Sequence, residues 1–302
     1  MAVITSATLL SLRTALSKAF QDSLAATPTE WQKIASLVTS TNASNTYGWL
    51  GDFPDVREWI GERQLKDMKS QAYVVFNKLF EATVGVPRTD VEDDNIGTYK
   101  LLASAQGQSA KRYPDKLVFN ALKAGGSTAC YDTQNFFDTD HPRYANVDGT
   151  GTATVVSNVT AGSGDSWYLL DTSRVLKPII FQERLKPELQ ALMDINDEKV
   201  FMSDLYRFGI RARGAAGYGF WQMAHKSNAA LDGASFAEAR VSMEMMRADG
   251  GILMGITPTM LVVPPTLRSA AEELIEADKK ANGASNTNYK AVELLVTPWV
   301  AD

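Results

Sequence analysis

The chain has 302 residues, 45% hydrophobic and 22% charged, a composition that buries a sizeable core in one large domain or two modest ones and excludes wholesale disorder. A net charge of -5 excludes a nucleic-acid binder that works by neutralising phosphates. No run approaches the ~18 apolar residues of a membrane span, and the start lacks the basic and apolar regions of a secretory signal.

Residues 8–24 carry Leu9, Leu12, Leu16, Ala19 and Phe20 at helical spacing and predict an amphipathic helix. The polar run 39–46 reads as an extended linker, which makes residues 1–45 an arm. Residues 46–95 are the most distinctive stretch. Over 73–84, Val74, Phe76, Phe80, Ala82 and Val84 share one parity, the period of a strand, while Tyr73, Val75 and Leu79 make the other face apolar too. The preceding run holds Trp59, Ile60 and Leu65 among charges, and Lys66-Asp67 offers a turn, so the pair reads as a long hairpin. A lone hairpin is marginal in water. Cover comes from its own chain or from another subunit, and the stretch argues for assembly. The candidate interface residues are Leu9, Leu12, Leu16 and Phe20 on the helix, with Trp59, Arg63, Lys66, Val74, Phe76 and Phe80 on the hairpin.

Asn95 is the expected cap of a helix over 98–112 that continues past Pro114 to Leu122 and ends at Gly125-Gly126. The next stretch, to residue 166, is loop-like and rich in Gly, Thr, Asp and Asn. From 167 to 225, WYLLD, KPIIFQ and KVFMSDLYRFGIRARGAAGYGFWQMA read as strands. Gly214, Gly217 and Gly219 have the wrong spacing for a dinucleotide loop and predict a tightly packed strand. Phe236, Ala239, Met243 and Met246 mark a helix, 260–263 a buried strand, and Pro264-Pro265 the start of a helix reaching Asn282-Gly283. A last strand covers 292–296. The order is α+β rather than a repeated βαβ.

Chemistry-bearing residues are sparse. Cys130 is the single cysteine, which excludes an internal disulfide, fits a reducing cytosol and reads as a small buried hydrophobe. The two histidines are His141 and His225. In FFDTDHP, Asp138, Asp140 and His141 are the candidates for acid–base or cation chemistry, but aspartates in a turn closed by Pro142 usually satisfy their own backbone amides. With no nucleophile elbow, phosphate loop or paired metal-ligand motif, the expectation is no catalysis, no cofactor and no metal.

The segments SNTYGWLGDFPDVREW, ATVGVPRTDVEDDNIGTY, CYDTQNFFDTDHP, WYLLDTSRVLKPIIFQERLKPEL, RGAAGYGFWQMA and LVVPPTLRSAAEELI occur in one order along the chain. Together they resemble the major head subunit (protein T) of Mu-like bacteriophages and prophages over nearly the whole length. The resemblance implies the Hong Kong 97-type capsid fold: an arm at 1–45, an extended β-hairpin loop at 46–95, and a peripheral domain with a spine helix at 96–130. It further implies a glycine-rich loop region at 131–166, strands shared between peripheral and axial domains at 167–225, and an axial domain at 226–302. The function implied is an icosahedral phage head of hexamers and pentamers around double-stranded DNA, which it holds without sequence-specific binding. The implied partners are further copies of the chain, a separate scaffolding protein, a maturation protease and a portal, with room for a decoration protein and no membrane. Assembly in the bacterial host cytoplasm and residence in the virion follow. The alternative is an encapsulin-like compartment built from the same fold.

Overall fold

The computed structural model describes residues 5–48, 73–93, 97–147, 149–194, 197–280 and 282–301. The N-terminal part contains α1 (Ser6–Ala26), α2 (Trp31–Ile34), β1 (Ala35–Thr39), β2 (Ser44–Thr46), β3 (Val74–Phe76), β4 (Lys78–Pro87), α3 (Arg88–Glu92) and α4 (Gly97–Ala124). The middle contains β5 (His141–Tyr144), β6 (Ala153–Val156), β7 (Val159–Thr160), β8 (Trp167–Leu170), β9 (Ile179–Leu192), α5 (Glu198–Ser203) and β10 (Leu205–Tyr218). The chain closes with β11 (Ala224–Ser227), α6 (Gly233–Glu244), β12 (Met260–Val263), α7 (Arg268–Ile275) and β13 (Glu293–Val296).

Helix starts follow their caps. Thr5 accepts the Thr8 amide at α1, Asp197 the Lys199 amide at α5, and Asp232 the Ala234 and Ser235 amides at α6. The Asp197 cap explains why KVFMS, expected as strand, is helical.

One sheet has the order β1-β9-β10-β4, with β1 parallel to β9 and the other pairs antiparallel. Its pairing skips where Arg211 faces Glu188 but Arg213 faces Leu185. That bulge accommodates Pro187, which has no N–H for a ladder. The second sheet has the order β13-β12-β8-β11-β7. Its strands β8 and β12 are buried along their whole length, as their unbroken apolar runs require. One continuous core joins the two sheets, from Phe181 and Tyr218 to Trp167 and Leu261. α4 packs on β9 and β10, and α1 lies along α4.

Several expectations change. The polar run 39–46 is no free linker, because β1 ends at Thr39 in the first sheet and β2 pairs with β3. The strand expected over 73–84 breaks at Asn77: β3 turns to β2 and β4 to β10. The 131–166 region contains β5, β6 and β7 rather than loop alone. Gly125 does not adopt the left-handed conformation of a helix stop; instead a Cβ there would sit 2.6 Å from Phe137 Cδ2. α7 ends at Ile275, well before Asn282-Gly283. Asn95 and its expected cap lie outside the described residues. The glycines of β10 do sit at close approaches, a Cβ at Gly217 falling 2.6 Å from Val75 Cγ2.

Candidate assembly surfaces

The apolar stripe of α1 is covered by its own chain. Leu9, Leu12 and Leu16 are buried with Val86, Val91, Ala103, Val200, Tyr206 and Phe208, and Phe20 with Ala110 and Ile210. This differs from the expectation that the stripe meets a neighbouring subunit. The physical reason is Gly107 on α4, where the helices approach so closely that a Cβ would lie 2.4 Å from the Phe20 carbonyl oxygen. Small residues at Ala103, Gly107 and Ala110 form the seat for α1.

The hairpin residues divide. Trp59, Arg63 and Lys66 lie outside the described residues. Val74 is half-buried. Phe80 turns inward, its ring 5.3 Å from that of Tyr113, into a groove of about 520 Å³ between β4 and α4. Phe76 is 66% exposed and Leu79, assigned by parity to the opposite face, is 61% exposed. Both are exposed apolar side chains within the stretch expected to form the hairpin. Other exposed apolar side chains were not singled out in the sequence: Leu10 on α1, Leu101 and Leu102 on α4, and Phe201 and Met202 on α5.

The chemistry-bearing cluster is an internal brace. Cys130 Sγ donates to Asp132 Oδ1 at 3.0 Å, and Asp132 Oδ2 lies 2.7 Å from His141 Nδ1. The His141 ring is fully buried and stacks on Trp221 with centroids 3.8 Å apart. A carboxylate thus separates thiol from imidazole, the reverse of an activated cysteine, whose base must touch the sulfur. Burial, then the Asp132 charge, pushes the thiol far above its ordinary pKa, so it remains a thiol at neutral pH. The same three residues are the one metal-donor group among the described residues, with ligand atoms within 4.8 Å of one another. Two of their separations are hydrogen-bond lengths, shorter than the ~3.5 Å between ligands around a zinc ion.

Asp138 accepts the Asn135 and Thr139 amides at 3.2 and 2.8 Å, the turn-closing role its sequence context suggested. Burial alone raises its pKa, but those amides and a hydrogen bond with Asp140 outweigh it and hold the carboxyl below the ordinary range. His225 lies apart, its Nε2 2.9 Å from Thr160 Oγ1. Among the described residues no helix is long and apolar enough to cross a membrane.

A mixed fold with exposed apolar side chains and a hydrogen-bonded rather than reactive cysteine–histidine cluster defines a capsid subunit when set beside known shells. A chain of the bacteriophage JBD30 procapsid superposes with a TM-score of 0.87 at 53% identity, covering 98% of this chain and 100% of that one. A chain of the JBD30 capsid gives 0.77 at 41%, covering 99% and 100%. The major capsid protein of Escherichia phage Mu is 44% identical over 99% of this chain and 100% of its own length. The Mu-like prophage FluMu major head subunit of Haemophilus influenzae is 46% identical over 97% of each. The chain belongs to the family described as Mu-like prophage major head subunit gpT, whose model matches residues 9–300. It is a major head protein, a building block of a virion shell.

Proposed function

We propose that many copies of this subunit form the hexamers and pentamers of an icosahedral head that encloses double-stranded DNA, with the Hong Kong 97-type division into extended loop, peripheral domain and axial domain. The observation that carries this reading is the match to head subunits along almost the entire chain, at 44% and 46% identity. In that division α4 is the spine helix, the sheet of β9 and β10 belongs to the peripheral domain, and the sheet around β12 with α6 and α7 to the axial domain. The hairpin reaches a neighbouring copy, with Phe76 and Leu79 at its root. A separate scaffolding protein, a maturation protease and a portal act in assembly, which takes place in the host cytoplasm. The JBD30 capsid also exists decorated with minor capsid protein trimers, which supports a decoration partner for this shell. The net charge of -5 suits a wall that holds DNA without gripping it.

The reading is non-enzymatic. It is supported by a thiol kept protonated and by a histidine that faces a carboxylate rather than a nucleophile. The compartment alternative is set aside because both curated relatives are head subunits.

The test is electron microscopy of particles from cells expressing the chain. Replacing Phe76 and Leu79 together by Asp is expected to abolish shells while leaving a soluble, folded subunit, because exposed substitutions shift stability by only about 0.5 kcal/mol. Wild-type-like particles from the double variant would sink the hairpin contact. A wild-type chain that never forms shells, tubes or capsomers would sink the function.

A further inference from the structure

The first sheet ends on β4, whose outer edge pairs with no other strand among the described residues. The direction of its backbone groups follows from two facts at its end. Pro87 has no N–H, so its pair with Leu205 is not a hydrogen-bonded one. Just beyond it, the Arg88 amide donates to the Asp204 carbonyl at 3.0 Å. Bonded and unbonded pairs alternate along an antiparallel ladder, and the register of β4 on β10 runs from Lys78 to Pro87 without a shift. The groups turned toward β10 are therefore those of Lys78, Phe80, Ala82, Val84 and Val86. The amides and carbonyls of Leu79, Glu81, Thr83 and Gly85 point the other way, off the sheet, and all four residues are exposed.

Such an edge is a template for another strand, and proteins that stay single blunt it with bulges, prolines or charges. Between Leu79 and Gly85 this edge has only Glu81. Its sequence also fits itself. Laid antiparallel about Ala82, all four outward residues find partners. Leu79 meets the partner subunit's Gly85 and Glu81 the partner subunit's Thr83, and each such pair exchanges two hydrogen bonds. The bulk of Leu79 then lies over a glycine, and no like charges face each other. Neighbouring registers are worse. An axis at Glu81 sets two glutamates directly opposite, which is destabilising. An axis at Thr83 sets Leu79 against the partner subunit's Pro87, which has no N–H to give.

We propose that the free edge of β4 is the contact surface for a second copy of this chain, the two strands pairing antiparallel about a two-fold axis at Ala82. The inference rests on the assembly reading above and names one of its contacts. The axis of such a pair stands perpendicular to the sheet, so both copies turn the same face to the same side. A closed shell requires that of every subunit, because inside and outside must agree. Successive copies round a ring of five or six meet head to tail, whereas a two-fold contact presents the same patch on both sides. The β4 contact therefore joins one ring to the next, and two four-stranded sheets become one continuous sheet across the boundary.

The experiment uses the full chain with two substitutions, Ala82→Cys and Thr83→Pro. Opposed residues of an unbonded antiparallel pair have Cα atoms about 4.5 Å apart, within the span of a disulfide. Particles of Ala82→Cys, oxidised and run denatured without reductant, are expected to give a band of twice the subunit mass that collapses with reductant. Cys130 is buried and takes no part. Val155→Cys, at an exposed position of β6, is the control and is expected to keep the single-subunit band. Thr83→Pro removes an amide that the subunit's own ladder does not use, a place where an edge strand tolerates proline. It is expected to melt as the wild type does and to leave rings in place of closed shells under the electron microscope. Ala82→Cys carries the test if Thr83→Pro fails to fold. A dimer band from Ala82→Cys no stronger than the control's, or closed shells from folded Thr83→Pro, would overturn the contact while the assembly reading stands. A wild-type chain that forms no shell overturns the assembly reading and this contact with it.

Discussion

At single residues, packing and intrinsic preference make opposite demands, and Gly107 separates them. Helix propensity alone favours Gly107→Ala within α4 by ~1 kcal/mol. The added Cβ would meet the Phe20 carbonyl oxygen at 2.4 Å and the Leu24 nitrogen at 3.1 Å, both backbone atoms of α1 that have nowhere to go. The variant is expected to be less stable by about 1–3 kcal/mol, the range of overpacked cores, in urea unfolding of the subunit; a gain in stability would refute the close crossing. His225 makes a second prediction. Burial lowers its pKa to about 4, below the ordinary value of ~6.5. The unfolded chain then binds this proton while the folded chain does not. The histidine's contribution is fully present above pH ~6.5 and is lost as pH falls toward 4, by roughly 2–4 kcal/mol in all. His225→Gln, compared with wild type at pH 7 and pH 4.5, is expected to flatten that loss, and parallel profiles would remove His225 as its source.

For whole elements, α1 shows which part of the fold the sequence made legible. Its helix was readable from the spacing of Leu9, Leu12, Leu16 and Phe20, and the helix indeed spans Ser6–Ala26. Its partner was not, because an apolar stripe does not say what covers it. The clue lay some ninety residues away, in the small residues Ala103, Gly107 and Ala110, which look unremarkable until α1 is laid on them. The same limit applied to β3 and β4. Their alternation was legible locally, but the break at Asn77 comes with a change of partner, β2 for β3 and the distant β10 for β4, so Phe76 is exposed while Phe80 faces Tyr113. Removing residues 5–26 is therefore expected to unfold the subunit rather than merely impair assembly. Burial of four such side chains contributes on the order of 6–12 kcal/mol, comparable with the total stability of a domain. Circular dichroism of the truncated chain would decide it, and a native-like spectrum with cooperative melting would return α1 to the role of an independent arm.

Across the described residues, the exposed large apolar side chains include Phe76 and Leu79 beside the expected hairpin and Leu101, Phe201 and Met202 on the helices α4 and α5. Exposure is decided only by folding, which is why the head-protein motifs revealed the function while most of these exposed side chains were not foreseen. What holds such a shell together follows from the same chemistry. Cys130 is 5% exposed, is engaged with Asp132 and has a raised pKa, so it offers neither access nor thiolate for an intersubunit disulfide. Exposed ion pairs such as Lys18–Asp22 and Arg268–Glu272 contribute only ~0–1 kcal/mol each. Cohesion is then expected to rest on many modest contacts engaged together, where one neighbour held in place raises the effective concentration of the next. Mature particles boiled in detergent without reductant are expected to run as a single band near 33.0 kDa. A ladder of higher multiples that persists with reductant would require an isopeptide or other covalent bond between subunits, and one that collapses with reductant would require Cys130 to leave its buried place on assembly; either pattern would overturn the non-covalent account.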